Sequence, residues 1–169
     1  MASRKSLWIL LGVFSIATCL LGIGTQIMAE SWNAKFFYRG SKSEGLWIPD
    51  ASEHWVGMIE RDGVILFENG ELAWSKRIAI LDGTKGMGPM SEYTMTTFQD
   101  GSTITIHAQG SIEGLNAGKY ASEIIYGTGR FQGIKGTVTS TGKILPLEKG
   151  EIIEKIAGES TIIFTLPSK

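Results

Sequence analysis

Few side chains in this sequence can do chemistry, and their spacing limits what that chemistry could be. Two histidines occur, His54 and His107, with no H-x-H or H-x-x-x-H spacing, so no metal site is expected. His107 alternates with Thr103, Thr105 and Gln109 on one side of an apolar-polar run, opposite Ile104, Ile106 and Ala108. If that polar side faces an interior, His107 can exchange a proton with a carboxylate such as Glu60 or Glu92, and these three are the catalytic candidates. If it faces water, His107 is one polar residue on a solvated wall. Serines are scattered without a G-x-S-x-G elbow, so nothing supports an acyl-transfer nucleophile. The only cysteine, Cys19, sits in an apolar stretch near the N-terminus and leaves residues 30–169 without thiol or disulfide chemistry. Large side chains are the other resource. Trp55, Trp74, Tyr93 and Tyr126 could line a pocket for an apolar molecule, with Met58 and Met95 adding an adaptable surface. They could equally fill a core.

Such residues need a scaffold that aims alternate side chains inward, and the pattern after Glu30 supplies one. Short apolar-polar alternations are cut by Asx-Gly pairs at 62–63, 69–70, 82–83 and 100–101, dipeptides suited to tight turns between twisted strands. The alternation predicts strands over 35–39, 54–60, 64–68, 71–80, 91–98, 102–109, 119–126, 136–141 and 159–166. In the fourth, Leu72, Trp74, Ile78 and Ile80 share a parity. Residues 151–157 allow at most one or two helical turns. Pro49 and Pro89 fall in expected loops, so few strands carry an edge-protecting proline. The expected fold class is all-β: one closed antiparallel β-barrel of about eight strands.

The chain of 169 residues has 22 glycines, 4 prolines, 43% hydrophobic residues and a net charge of −1. Such a chain can bury a core without staples, and it lacks the basic surface of a nucleic-acid binder. Residues 1–29 read as a cleavable signal segment: Arg4 and Lys5, an uncharged apolar stretch from Leu7 to Ile23, then small and polar residues up to Ala29. An exported domain, 30–169, is expected, periplasmic or secreted. A membrane contact would arise only through this segment if it stays uncleaved.

The run Gly127-Thr128-Gly129-Arg130-Phe131-Gln132-Gly133-Ile134-Lys135-Gly136 lacks the third glycine of a dinucleotide fingerprint, and a β-branched stretch follows it where a helix would be needed. Its glycines suit a sharp bend between strands, with Phe131 plugging a barrel end. The run resembles the G-x-G-x-F-x-G-x-x-G segment of allene oxide cyclase-like barrels, whose architecture is shared with dirigent proteins. Phe98-Gln99-Asp100-Gly101-Ser102-Thr103-Ile104 is similar to that family's strand–turn–strand, and the likeness runs from about Glu53 to the C-terminus. The resemblance implies about eight antiparallel strands, an apolar lumen and often a trimer. The cysteine that the plant cyclases use has no counterpart in 30–169, and Glu60 is only the nearest acid on an early strand, so their cyclase chemistry is not carried over. The expected function is to bind a small apolar molecule in the lumen. If the chain catalyses, the expectation is isomerisation or cyclisation without a cofactor. The alternative is a non-enzymatic structural or interaction protein of the cell envelope with a side-chain-filled barrel.

Overall fold

In a computed structural model, residues 28–50, 52–114, 117–147 and 154–168 are described, and the expected leader therefore lies almost wholly outside them. Eight strands run in order: β1 (Glu30–Ile48), β2 (His54–Phe67), β3 (Leu72–Thr84), β4 (Gly88–Phe98), β5 (Thr103–Gly114), β6 (Ala117–Gly127), β7 (Lys135–Ile144) and β8 (Lys155–Thr165). Each pairs antiparallel with the next, and β8 returns to β1 through Ala34↔Ser160 and its neighbours, which closes the barrel. The seam between β6 and β7 is the short one: it is paired only through Ser122↔Val138, Glu123↔Thr137 and Ile124↔Gly136, so the rest of β7 is laddered on its β8 side alone.

The Asx-Gly pairs divide into two kinds. Those at 69–70 and 100–101 are turns, with Gly70 and Gly101 at positive φ. Those at 62–63 and 82–83 lie inside β2 and β3, so the two strands expected over 54–60 and 64–68 are one. Gly63 serves close approach: a Cβ there would strike the Phe37 carbonyl and the Tyr38 ring. Two further expectations are corrected. Lys155, Ile156 and Ala157 belong to β8, paired with β7 and β1, rather than to a helical turn. Pro89 lies in β4, not in a loop. It pairs with Ser111 of β5 just beyond Met90, the last β4 residue matched to β3, so its missing N–H interrupts no β3–β4 ladder.

The two ends of the barrel differ. At one end Trp32 packs edge-on against Phe67, Phe98, Phe131 and Phe164, with ring centroids 5.0 to 6.5 Å apart. Phe131 comes from a single 3-10 turn, Gly129–Phe131, and is 1% exposed. Gly129 starts that turn at φ +59, where a side chain would also meet the Ser102 hydroxyl. The glycine-rich run is thus a plug. Arg130 fastens it from outside, over the Phe98 and Phe131 rings, with its guanidinium 2.5 Å from Glu71 Oε1 and 3.5 Å from Asp100 Oδ2. At the other end the strands run on past the core. Among the described residues, Ser41 is bulged and 42–48 of β1 pair only with β2.

Candidate functional site

Above the aromatic floor the barrel encloses a half-open cavity of about 880 Å³. Along most strands one parity lines it, odd residues of β2 and β3 and even residues of β1, β4, β6 and β8, while β7 borders it with consecutive residues from Val138 to Ile144 where its pairing to β6 has ended. The deepest walls are apolar, from Ile65, Phe67, Phe98, Ile104, Ile106, Val138 and Ile162. Closer to the mouth lie Ile59, Leu81, Met90, Ile112 and Ile156. Between the two sits a polar belt.

The belt follows from register. Arg61 of β2 faces Arg77 of β3 directly across the strand pair, and like charges so placed repel. Glu92 of β4, 6% exposed, resolves the conflict. Its Oε1 lies 3.1 Å from Arg77 Nε, and its Oε2 lies 3.7 Å from Arg61 Nη1. Arg61 also donates Nε–H to Glu154 Oε2 at 2.9 Å, with Nη2 equally close to the same oxygen. Arg77 lies over the Tyr38 and Phe36 rings, 4.4 and 5.2 Å from their centroids. Tyr38 is 1% exposed and donates its hydroxyl proton to Ser75 Oγ at 2.7 Å, and Ser75 reaches Thr96 at 3.4 Å. Burial pushes the Tyr38 phenol above its ordinary 10.0, against the opposing pull of Arg77 and Ser75, so the phenol stays a neutral donor. Burial also raises Tyr120 at the mouth.

A buried charge network contributes little net stability, because desolvating the ions offsets their attraction. Apolar residues of similar volume would hold a barrel at least as well. Its presence in an otherwise apolar lumen therefore marks a place where polar recognition matters more than packing.

Among the catalytic candidates, Glu92 lies in this belt. Glu60 and His107 have the opposite parity and sit on the outer wall. Glu60 pairs with Lys76 at 2.7 Å, while His107 stacks on Tyr93 at 4.4 Å and bonds Ser91 Oγ through Nε2 at 2.9 Å. The three are not brought together. Of the ligand-binding candidates, Trp74, Tyr93 and Tyr126 are exposed on the outer wall, and Trp55, on the inward parity of β2, lays its ring over the Gly45–Gly57 pair and is not among the residues lining the cavity. Arg61, Arg77, Tyr38, Ser75, Thr96 and Glu154 escaped the sequence reading. The available signal was in β3: Ala73, Ser75 and Ala79 are small residues on one parity, as a narrow interior requires, while the bulky Leu72, Trp74, Ile78 and Ile80 face outward. Among the described residues, no group of three or more His, Cys, Asp or Glu side chains is placed to hold a metal ion.

No family model matches the chain, and no curated protein matches it significantly. Solved structures do. The pterocarpan synthase dirigent protein GePTS1 is similar over 82% of this chain and 92% of that one, with a TM-score of 0.53 at 15% identity. The pterocarpan synthase dirigent protein PsPTS1 is similar over 82% and 97%, with a TM-score of 0.51 at 15% identity. At that identity the likeness concerns the backbone, and it agrees with the resemblance carried by the glycine-rich run. The chain folds as a barrel of the dirigent type, eight antiparallel strands closed around a lumen.

Proposed function

We propose that this protein is an exported barrel that takes a small, largely apolar molecule into its lumen and orients it against the polar belt. The observation carrying this reading is a half-open cavity of about 880 Å³ with apolar walls and a buried Arg61–Glu92–Arg77 network. That volume lies within the range of small-molecule sites, and a few convergent polar groups on apolar walls are what such sites use. A barrel acting only through its outer surface has no use for either feature. If the bound molecule is reactive, confinement suits cofactor-free isomerisation or cyclisation. Export rests on the tripartite layout of residues 1–29, and N-terminal sequencing of the mature protein from its host should begin at Glu30.

The reading is tested by titrating 2-naphthylmethanol into wild type and into Ala108→Phe, which fills the lumen beside Glu92. Saturable one-to-one binding by wild type, lost in an Ala108→Phe protein that still melts cooperatively, is expected. Equal uptake by both would refute a lumen site.

A second proposal concerns assembly. Leu66, Leu72, Trp74 and Met95 are exposed apolar residues on the outer wall of the adjoining strands β2 to β4. A contiguous apolar patch of this kind marks a contact surface, here for further copies of the chain in a homo-oligomer such as a trimer.

A further inference from the structure

Arg61 and Glu154 are unequally committed to their contact. The Arg61 side chain is 9% exposed, and that of Glu154 is 29% exposed. A guanidinium at that depth must keep an anion against it, since an uncompensated buried charge is strongly destabilising. A carboxylate at the mouth has no such need, because water can take it back. The contact also differs from the one Arg61 makes to Glu92. Nε and Nη2 both reach a single Glu154 oxygen at 2.9 Å, whereas the Glu92 oxygen lies 3.7 Å from Nη1. Glu92 is further occupied by Arg77 at 3.1 Å and by the Thr94 hydroxyl at 3.4 Å. Glu154 is therefore the replaceable partner, and it borders the same cavity that a ligand would occupy.

We infer that Glu154 stands where the carboxylate of the natural ligand binds, and that the ligand is an organic monocarboxylate whose apolar body lies on the walls below. The inference rests on the lumen reading above and adds the ligand's charge. The belt's balance supports a single negative charge. Arg61 and Arg77 are met by Glu92 and Glu154, and Lys143 and Glu113 add one charge of each sign to the lining, so one ligand carboxylate entering as Glu154 swings out leaves the total unchanged. A neutral molecule would leave Arg61 dependent on Glu154, and a cation would meet two guanidiniums. The protein's own carboxylate thus keeps the buried arginine satisfied when the lumen is empty and sets a threshold that a ligand must exceed.

The test uses two probes of equal shape, 2-naphthoate and the neutral 2-naphthamide, against wild type and Glu154→Gln. Glutamine keeps the size and an acceptor oxygen and removes the competing charge. Glu154→Gln should bind 2-naphthoate about tenfold more tightly than wild type, with 2-naphthamide unchanged. In the wild-type protein labelled with ¹⁵N, the Arg61 Nε resonance should shift on saturation with 2-naphthoate and stay put with 2-naphthamide. This second readout holds even if the variant folds poorly. Equal gains for both probes, or no gain for 2-naphthoate, would overturn the inference. If 2-naphthamide binds and 2-naphthoate does not, the lumen reading stands and the carboxylate assignment falls. If neither binds, both fall.

Discussion

The two halves of the barrel are built on opposite principles. The plugged half packs Trp32, Phe67, Phe98, Phe131 and Phe164 ring against ring, and all except Trp32 are nearly inaccessible to water. Such packing combines a large burial term with favourable edge-to-face geometry, and nothing in it titrates. The open half places Arg61, Arg77, Glu92, Glu113, Lys143 and Glu154 around the cavity, and its strands are tied at the rim by polar contacts. His54 is the clearest of these: Nδ1 lies 2.6 Å from Asp50 Oδ1 and Nε2 lies 2.8 Å from Asp82 Oδ1, joining the approach to β2 with the end of β3. One half closes the cylinder and supplies stability. The other gives up packing for space and charge, a division expected of a rigid scaffold carrying a site.

Breaking the plug should have the largest effect. Phe131→Ala removes a side chain that touches Trp32 and Phe98 and should lower stability by about 4 kcal/mol, read by chemical denaturation. The affinity of the fraction still folded for a lumen probe should change little. A smaller loss, about 3 kcal/mol, is expected for Glu92→Ala, which leaves Arg61 and Arg77 facing each other across the strand pair. The triple variant Arg61→Met/Arg77→Met/Glu92→Met sharpens the contrast. It should melt at or above the wild-type temperature while losing preference for an anionic probe. A triple variant that unfolds would mean the belt is structural, and the division between halves would fail.

The smallest effect belongs to the rim, and it depends on pH. Hydrogen bonds that His54 donates to Asp82 and Asp50 raise it above its ordinary 6.5. A raised folded value means that protonated His54 stabilises the fold in full below about pH 6.5, and that this contribution disappears as pH rises through the folded value. The melting-temperature gap between wild type and His54→Asn should therefore be widest near pH 6 and narrow as pH rises above that. A gap that stays constant with pH would show that His54 acts through packing instead.

The same contrast governs what could be read from the residues alone. The plug was legible because it is local: Gly129, Phe131 and the turns at 69–70 and 100–101 lie within a few residues of the strands they join. The belt was not. Arg61 and Glu154 are 93 positions apart, and their meeting depends on register across the closing strands, where a slip of one residue turns every side chain to the other wall. Parity in β3 also ran against expectation, because a narrow lumen admits Ala73, Ser75 and Ala79 and turns Trp74 outward. His107 was the natural proton carrier by residue type, yet it shares the outer wall with Tyr93, whereas Glu92, fifteen residues earlier, points inward. A glycine inside a strand looks like a glycine in a turn until its neighbours are known, which is why residues 54–67 were expected as two strands.

The decisive measurement is native mass spectrometry of the protein isolated gently from its own host, alongside Ala108→Phe prepared in the same way. A lumen of about 880 Å³ predicts an added mass on the order of a few hundred daltons on the wild type, absent from the filled variant. Bare polypeptide mass for both, or the same adduct on both, would contradict a barrel built to hold a small molecule.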